Sequence, residues 1–233
     1  MTDTRHELAT DPDSHPRPGA LERMTGPTVV VTAVVLAASS LLQGLTDPGD
    51  GPAEAAFAQT PTHLTSAVIS LLSFALVALS VVLLQVRQRG GVPSTVITVL
   101  AFLFSVAAAG GEFTDAFIDP TIAQIAPTLY GGDSPPALVE IGFGVAFTGV
   151  GLFVGVYGIV LAVMGRVARV GAILVALGAL GTAAPGDYGN WISLLVAVGL
   201  AWIGLTPIRP GKKHTPSPAN ATSATTTPAT PAL

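Results

Sequence analysis

The 233-residue chain has no cysteine. That removes disulfides, thiolate metal sites, iron–sulfur ligation and cysteine nucleophiles together, and it leaves the redox compartment of the loops open. Charge is also scarce: 10% of the residues are Asp, Glu, Lys or Arg, against 50% hydrophobic, and mean hydropathy is +0.65. A soluble domain of this length needs far more charge to cover its surface, so the composition is that of a polytopic membrane protein with the lipid bilayer as its main partner. Aromatics make up only 6%, and no basic stripe is interleaved with them, which argues against nucleic acid as a partner. There is no Gly-rich phosphate loop ending in Lys-Ser or Lys-Thr, no GxSxG, no dinucleotide fingerprint and no HExxH. No cofactor and no catalytic residue is therefore assigned.

What remains is a series of long uncharged stretches. Expected spans cover about 28–45, 64–86, 93–110, 138–164, 170–184 and 190–208. The first just crosses a hydrocarbon core of about 30 Å at about 1.5 Å per residue. It could be a secretory signal with Ala56-Phe57-Ala58 as the cleavage site. However, the preceding segment is long and acidic as well as basic, and the site lies far past the apolar core, so the span is kept. The dense turn chemistry of Thr46-Asp47-Pro48-Gly49-Asp50-Gly51-Pro52 stops it. Residues 1–27 and the Thr/Pro/Ala-rich 209–233 have too little to bury and are expected to be disordered tails.

The connections alternate in charge. Asp47, Asp50 and Glu54 lie between the first two spans, then Arg87 and Arg89. Next come Glu112, Asp115, Asp119, Asp133 and Glu140 without a base, then Arg166 and Arg169, then Asp187. Arg209, Lys212 and Lys213 follow the last span. Basic residues in short loops are retained on the cytoplasmic side. The pattern therefore predicts an all-α, multi-pass bundle of six spans in the cell (inner) membrane, with both termini cytoplasmic. Omitting one span would break the alternation, which is why the short fifth is retained.

Spans in lipid associate through close packing and interhelical hydrogen bonds. Gly144, Gly151, Gly155 and Gly158 in the fourth span, Gly171, Ala172, Ala176, Gly178 and Ala179 in the fifth, and Ala33, Ala37, Ser40 and Gly44 in the first are small residues that would let backbones approach. Gly151 and Gly155 stand in GxxxG spacing, so a homo-oligomer face is the alternative use. Every span lacks Asp, Glu, Lys and Arg through its middle. That argues against a proton pump, a voltage sensor and most ion-coupled carriers.

The chemistry then falls to the outer end. Gly110-Gly111 can end the third span, and Glu112, Asp115 and Asp119 at i, i+3 and i+7 would share one helical face. Asp119-Pro120 reads as an N-cap with Pro at N1 of a second short helix. With Phe113, Phe117, Ile118, Ile122 and Ile125 below, the segment would lie in the interface with its acids up. His63 and Glu140 sit at the same level, so His63, Glu112, Asp115, Asp119 and Glu140 are low-ranked candidates for a divalent metal or an acid–base site. A solvated acidic face with His63 as a polar anchor is the simpler reading.

Asp47-Pro48-Gly49, Thr62-His63, Asp115-Ala116-Phe117 with Pro120, and Ala126-Pro127 together resemble uncharacterised six-span integral membrane proteins of actinobacterial type. The resemblance covers 28–208 and implies the fold but no activity. The expected function is a non-enzymatic scaffold or sensor-like protein with an acidic extracytoplasmic loop. A small-solute or lipid carrier is the alternative, and a metal-dependent membrane enzyme comes third.

Overall fold

The computed structural model describes residues 20–46, 56–88, 91–126, 137–183 and 189–206, without the side chains of 137–140. Most of both expected tails, the first turn and the acids Asp47, Asp50, Glu54, Asp133 and Asp187 lie outside the described residues, as do Arg89, Arg209, Lys212 and Lys213.

Among the described residues the regular elements are all helices: α1 (Ala20–Thr46), α2 (Pro61–Gln88), α3 (Val92–Phe117), α4 (Asp119–Ile125), α5 (Ala137–Met164), α6 (Arg169–Thr182) and α7 (Gly189–Leu205). α1, α2, α3 and α5 are long and apolar enough to cross a membrane. α6 and α7 are apolar but have 14 and 17 residues, roughly 21 and 26 Å at 1.5 Å per residue.

Two boundaries differ from the sequence reading. α1 starts at Ala20 rather than 28, carrying Pro27 inside the helix, so part of the expected tail is ordered. α3 runs through Gly110-Gly111 to Phe117. Those glycines do not end the span, because their neighbours Ala108 and Glu112 are buried against the bundle, and tertiary contact outweighs roughly 1 kcal/mol per glycine of lost helix propensity.

Each long helix packs on its chain neighbour, and α7 packs back on α1. The order α1–α2–α3–α5–α6–α7 therefore closes into a ring. Neighbours in the ring run antiparallel, so one end carries Arg87, with Glu22 beside it, Arg166 and Arg169, and the other carries Glu112, Asp115 and Asp119.

Two kinds of contact hold the ring. Along α5, α6, α7 and α1 the joints are glycine-to-backbone. A Cβ on Gly158 would sit 2.7 Å from Ala176 N, one on Gly199 2.6 Å from Gly171 O, and one on Gly204 2.9 Å from Gly26 O. Along α1, α2 and α3 the joints are hydrogen bonds. Thr32 Oγ1 meets Ser80 Oγ at 2.7 Å, and Gln43 Nε2 donates to Ser70 Oγ at 3.2 Å. Gln85 Oε1 accepts from Ser94 at 2.6 Å and Thr98 at 3.2 Å. α3 meets α5 through stacked Phe104 and Phe153, 4.9 Å between centroids.

The glycines considered for self-association are used inside the chain. A Cβ on Gly151 would lie 2.7 Å from Ala179 O, and one on Gly155 2.6 Å from Leu180 Cγ. At the basic end, Gly165 takes the left-handed conformation that terminates α5, with φ 64°. Arg166 Nη1 then donates to the carbonyl of Gln88, tying the turn to the end of α2.

The outward faces are oily. Val34, Leu72, Leu103, Phe113, Leu152, Ile173, Val198 and Trp202 are all exposed. The interior holds Thr32, Ser39, Ser40, Ser66, Ser70, Ser73, Ser80, Thr98, Ser105 and Glu112. This inversion of the soluble pattern suits a protein surrounded by hydrocarbon.

Candidate functional site

The ring is not solid. Its acidic half encloses a cavity of about 230 Å³. The floor is apolar, with Leu36, Val77, Val150, Val154 and Val196, and lies near the middle of the long helices. The wall above it carries Ser39, Ser40 and Gln43 from α1, Ser70 and Ser73 from α2, and Glu112 from α3. Thr182 from α6 and Asn190 and Ser193 from α7 complete it. Thr182, Gly189 and Asn190 are end residues of their helices, so the cavity reaches the acidic end of the ring.

The polar wall is wired together. Ser40 Oγ lies 2.6 Å from Ser193 Oγ, joining α1 to α7. Gln43 Nε2 donates to Ser70 Oγ, and Ser70 in turn hydrogen-bonds Glu112. Glu112 is 6% exposed. Its Oε2 has no hydrogen-bond partner among the described residues. A buried carboxylate oxygen left unpaired is costly, about 1–3 kcal/mol or more, so its place in the cavity wall calls for a partner beyond the described residues.

Among the described residues the basic half of the ring is tightly packed. Tyr157, Leu161, Leu84, Val175 and Ile203 are each at most 1% exposed, and the void lined by the first four is about 10 Å³, at the lower limit for one water. Tyr157 Oη donates to the carbonyl of Val81 at 3.1 Å, pinning α5 across to α2. The cavity thus opens toward one end and stops at a dry plug.

The five residues proposed for a metal or acid–base site separate into three situations. His63 and Asp115 come together: Nε2 is 3.5 Å from Asp115 Oδ1 and 3.1 Å from the Asp115 carbonyl. A carbonyl only accepts, so that bond places a proton on Nε2. Phe57 packs edge-on against the imidazole at 5.5 Å, and Thr60 Oγ1 accepts from the His63 amide at 3.2 Å. Asp115 also meets Asp119. Glu112 lies one turn deeper, beside Asp115 but turned to the cavity. The side chain of Glu140 lies outside the described residues. Among the described residues no group of three or more His, Cys, Asp and Glu is arranged to hold a metal ion.

The expected interfacial helix is therefore corrected on three points. Glu112 and Asp115 belong to the end of α3, not to a new helix. Phe113 and Phe117 face outward, 51% and 49% exposed, while Glu112 faces in, so the acids do not share a solvated upper face. α4 does form with Pro120 in its first turn, but its cap is Ile118, without a side-chain cap bond. Gln59 Nε2 donates to the Ala123 carbonyl at 3.4 Å and holds α4 over the start of α2.

The carrier alternative implies a polar cleft between spans, and the sequence carries a trace of where it lies. Ser66, Ser70, Ser73 and Ser80 recur along α2 at helical spacing and are all buried. A polar stripe on an otherwise apolar span belongs to the bundle interior. Ser193 and Asn190 carry no comparable signal, since only the closure of α7 on α1 brings them there.

The chain matches no family model, no curated protein and no solved structure.

Proposed function

We propose that the chain is a multi-pass carrier of the cell membrane for a small polar solute, with six spans and cytoplasmic termini, and that the cavity of the acidic half is its binding site. One observation carries the reading: an apolar-floored, polar-walled cavity reaches the middle of a helix ring whose other half is packed dry. That is the form of a site open to one side and sealed to the other, and solute sites of carriers lie near the bilayer midplane between helices. Ligand sites in general combine a mostly apolar lining with a few placed polar groups. The scaffold or sensor alternative rested on acids displayed outward. Glu112, the innermost of them, is directed to the cavity instead. The metal-enzyme alternative has less support, since His63, Asp115 and Asp119 are not arranged to hold a metal ion among the described residues.

The absence of cysteine makes the test clean. Single cysteines replacing Gln43 and Ser193 should react with a small membrane-impermeant thiol reagent added outside intact cells. Cysteines replacing Leu161 and Val175, in the plug, should not. Equal reactivity at the two levels, or none at Gln43 and Ser193, would overturn the reading.

A further inference from the structure

We infer that the solute is a small amine, bound as its ammonium form with the charged head on Glu112 and an apolar body against the valine floor; this rests on the carrier reading above. The charge argument comes first. Among the described residues lining the cavity, Glu112 is the only ionised type, and none is Lys or Arg. A site whose one acid is a buried carboxyl group gains most from a cation, which holds that group in its ionised form, and offers nothing to an anion.

The hydrogen-bond inventory points the same way. Glu112 Oε2 has no hydrogen-bond partner among the described residues, and Ser70, which accepts from Gln43, has a single O–H to give the carboxyl group. The wall is missing a donor, and an ammonium brings three.

Size and floor select an amine over a bare ion. About 230 Å³ is the share of roughly seven liquid waters at about 30 Å³ each, far more than one alkali ion needs. The floor of Leu36, Val77, Val154 and Val196 offers nothing to an ion's hydration shell but accepts a short alkyl chain. Phe74 and Phe147 form an edge-to-face pair at 5.5 Å in the same wall, a surface that also favours a cation. The approach is suited as well: Asp115, beside the His63 imidazole, stands one turn outside Glu112, with Asp119 next to it. Such a field raises the local concentration of cations.

The experiment uses full-length Ser193→Cys protein in nanodiscs, modified with two methanethiosulfonates, one bearing trimethylammonium and one bearing sulfonate. Rates are normalised to those with a free thiol. The cationic reagent should react at least about tenfold faster, and Glu112→Gln should shrink that preference below about threefold, while Glu112→Asp, which keeps the charge, should retain it. n-Butylammonium chloride should slow modification, whereas n-butanol, or potassium chloride at equal ionic strength, should not. Equal rates for the two reagents, or a preference untouched by Glu112→Gln, overturns the inference. So does protection by n-butanol or potassium equal to that by n-butylammonium. If Glu112→Gln does not fold, the protection comparison in Ser193→Cys alone decides. Failure of both reagents to modify Ser193→Cys overturns the cavity reading itself, which separates the two failures.

Discussion

Replacing Gly158 by alanine tests the packing that closes the ring. A Cβ at that position would lie 2.7 Å from Ala176 N, 3.0 Å from Ala172 O and 3.0 Å from Ala176 Cα. All three are backbone atoms, so no rotamer change relieves the contact. The shortest is below ordinary contact by about 0.7 Å, and relief requires α5 and α6 to separate along their whole length. Overpacking of this kind costs about 1–3 kcal/mol. Gly144, in the same helix, supplies the control: it is exposed, and a Cβ there would meet nothing within 4 Å. Both substitutions share the helix-propensity gain of alanine, about 1 kcal/mol, so the difference between them isolates the α5–α6 contact. Gly158→Ala should unfold more readily than Gly144→Ala by about 1–3 kcal/mol, a factor of about 5 to 150 in the unfolding constant. Equilibrium unfolding by SDS in mixed micelles, followed by circular dichroism and tryptophan fluorescence, measures it. Identical curves for the two variants would refute the close α5–α6 approach and reopen the glycine face to another partner.

Tyr157→Phe removes the bond to the Val81 carbonyl and should cost about 0.6–1.7 kcal/mol in the same unfolding assay, the range for interhelical hydrogen bonds in membranes; no loss would show that Tyr157 does not pin α5 to α2. A double-mutant cycle on Ser40→Ala and Ser193→Ala should give a coupling of about 0.6 kcal/mol, whereas strictly additive effects would argue against the α1–α7 contact at the cavity wall. A reporter fused after Arg89 should be active only in the cytoplasm and one fused near Asp133 only outside; the reverse pattern would refute the orientation.

The outer acidic stretch shows where sequence reasoning runs out. Gly110-Gly111 and three acids at i, i+3 and i+7 gave a locally consistent picture of a helix stop followed by an amphipathic surface helix. Local propensity had no access to what lay beside α3. Ser70 of α2 reaches Glu112, and Phe143 and Phe147 of α5 pack at Gly111, where a Cβ would come within 3.1 Å of Phe143. Those contacts continue the helix and turn its acid inward. For the same reason the sequence placed Glu112 outside the span, whereas the extra turns of α3 bring it into the buried wall.

The amino-acid sequence alone determined the class of solvent and the element type. Scarce charge and long uncharged runs leave no alternative to apolar helices, because backbone groups in hydrocarbon must be satisfied within the segment. The alternation of acidic and basic connections also predicts which helix ends share a side. Only the tertiary structure decided that the helices form a ring and that the ring is hollow at one end and plugged at the other. Packing between non-adjacent segments sets these features. Gly204 on Gly26 closes the ring, Tyr157 seals its basic half, and serines from α1, α2 and α7, unremarkable one by one, become a polar wall around Glu112 once the helices meet.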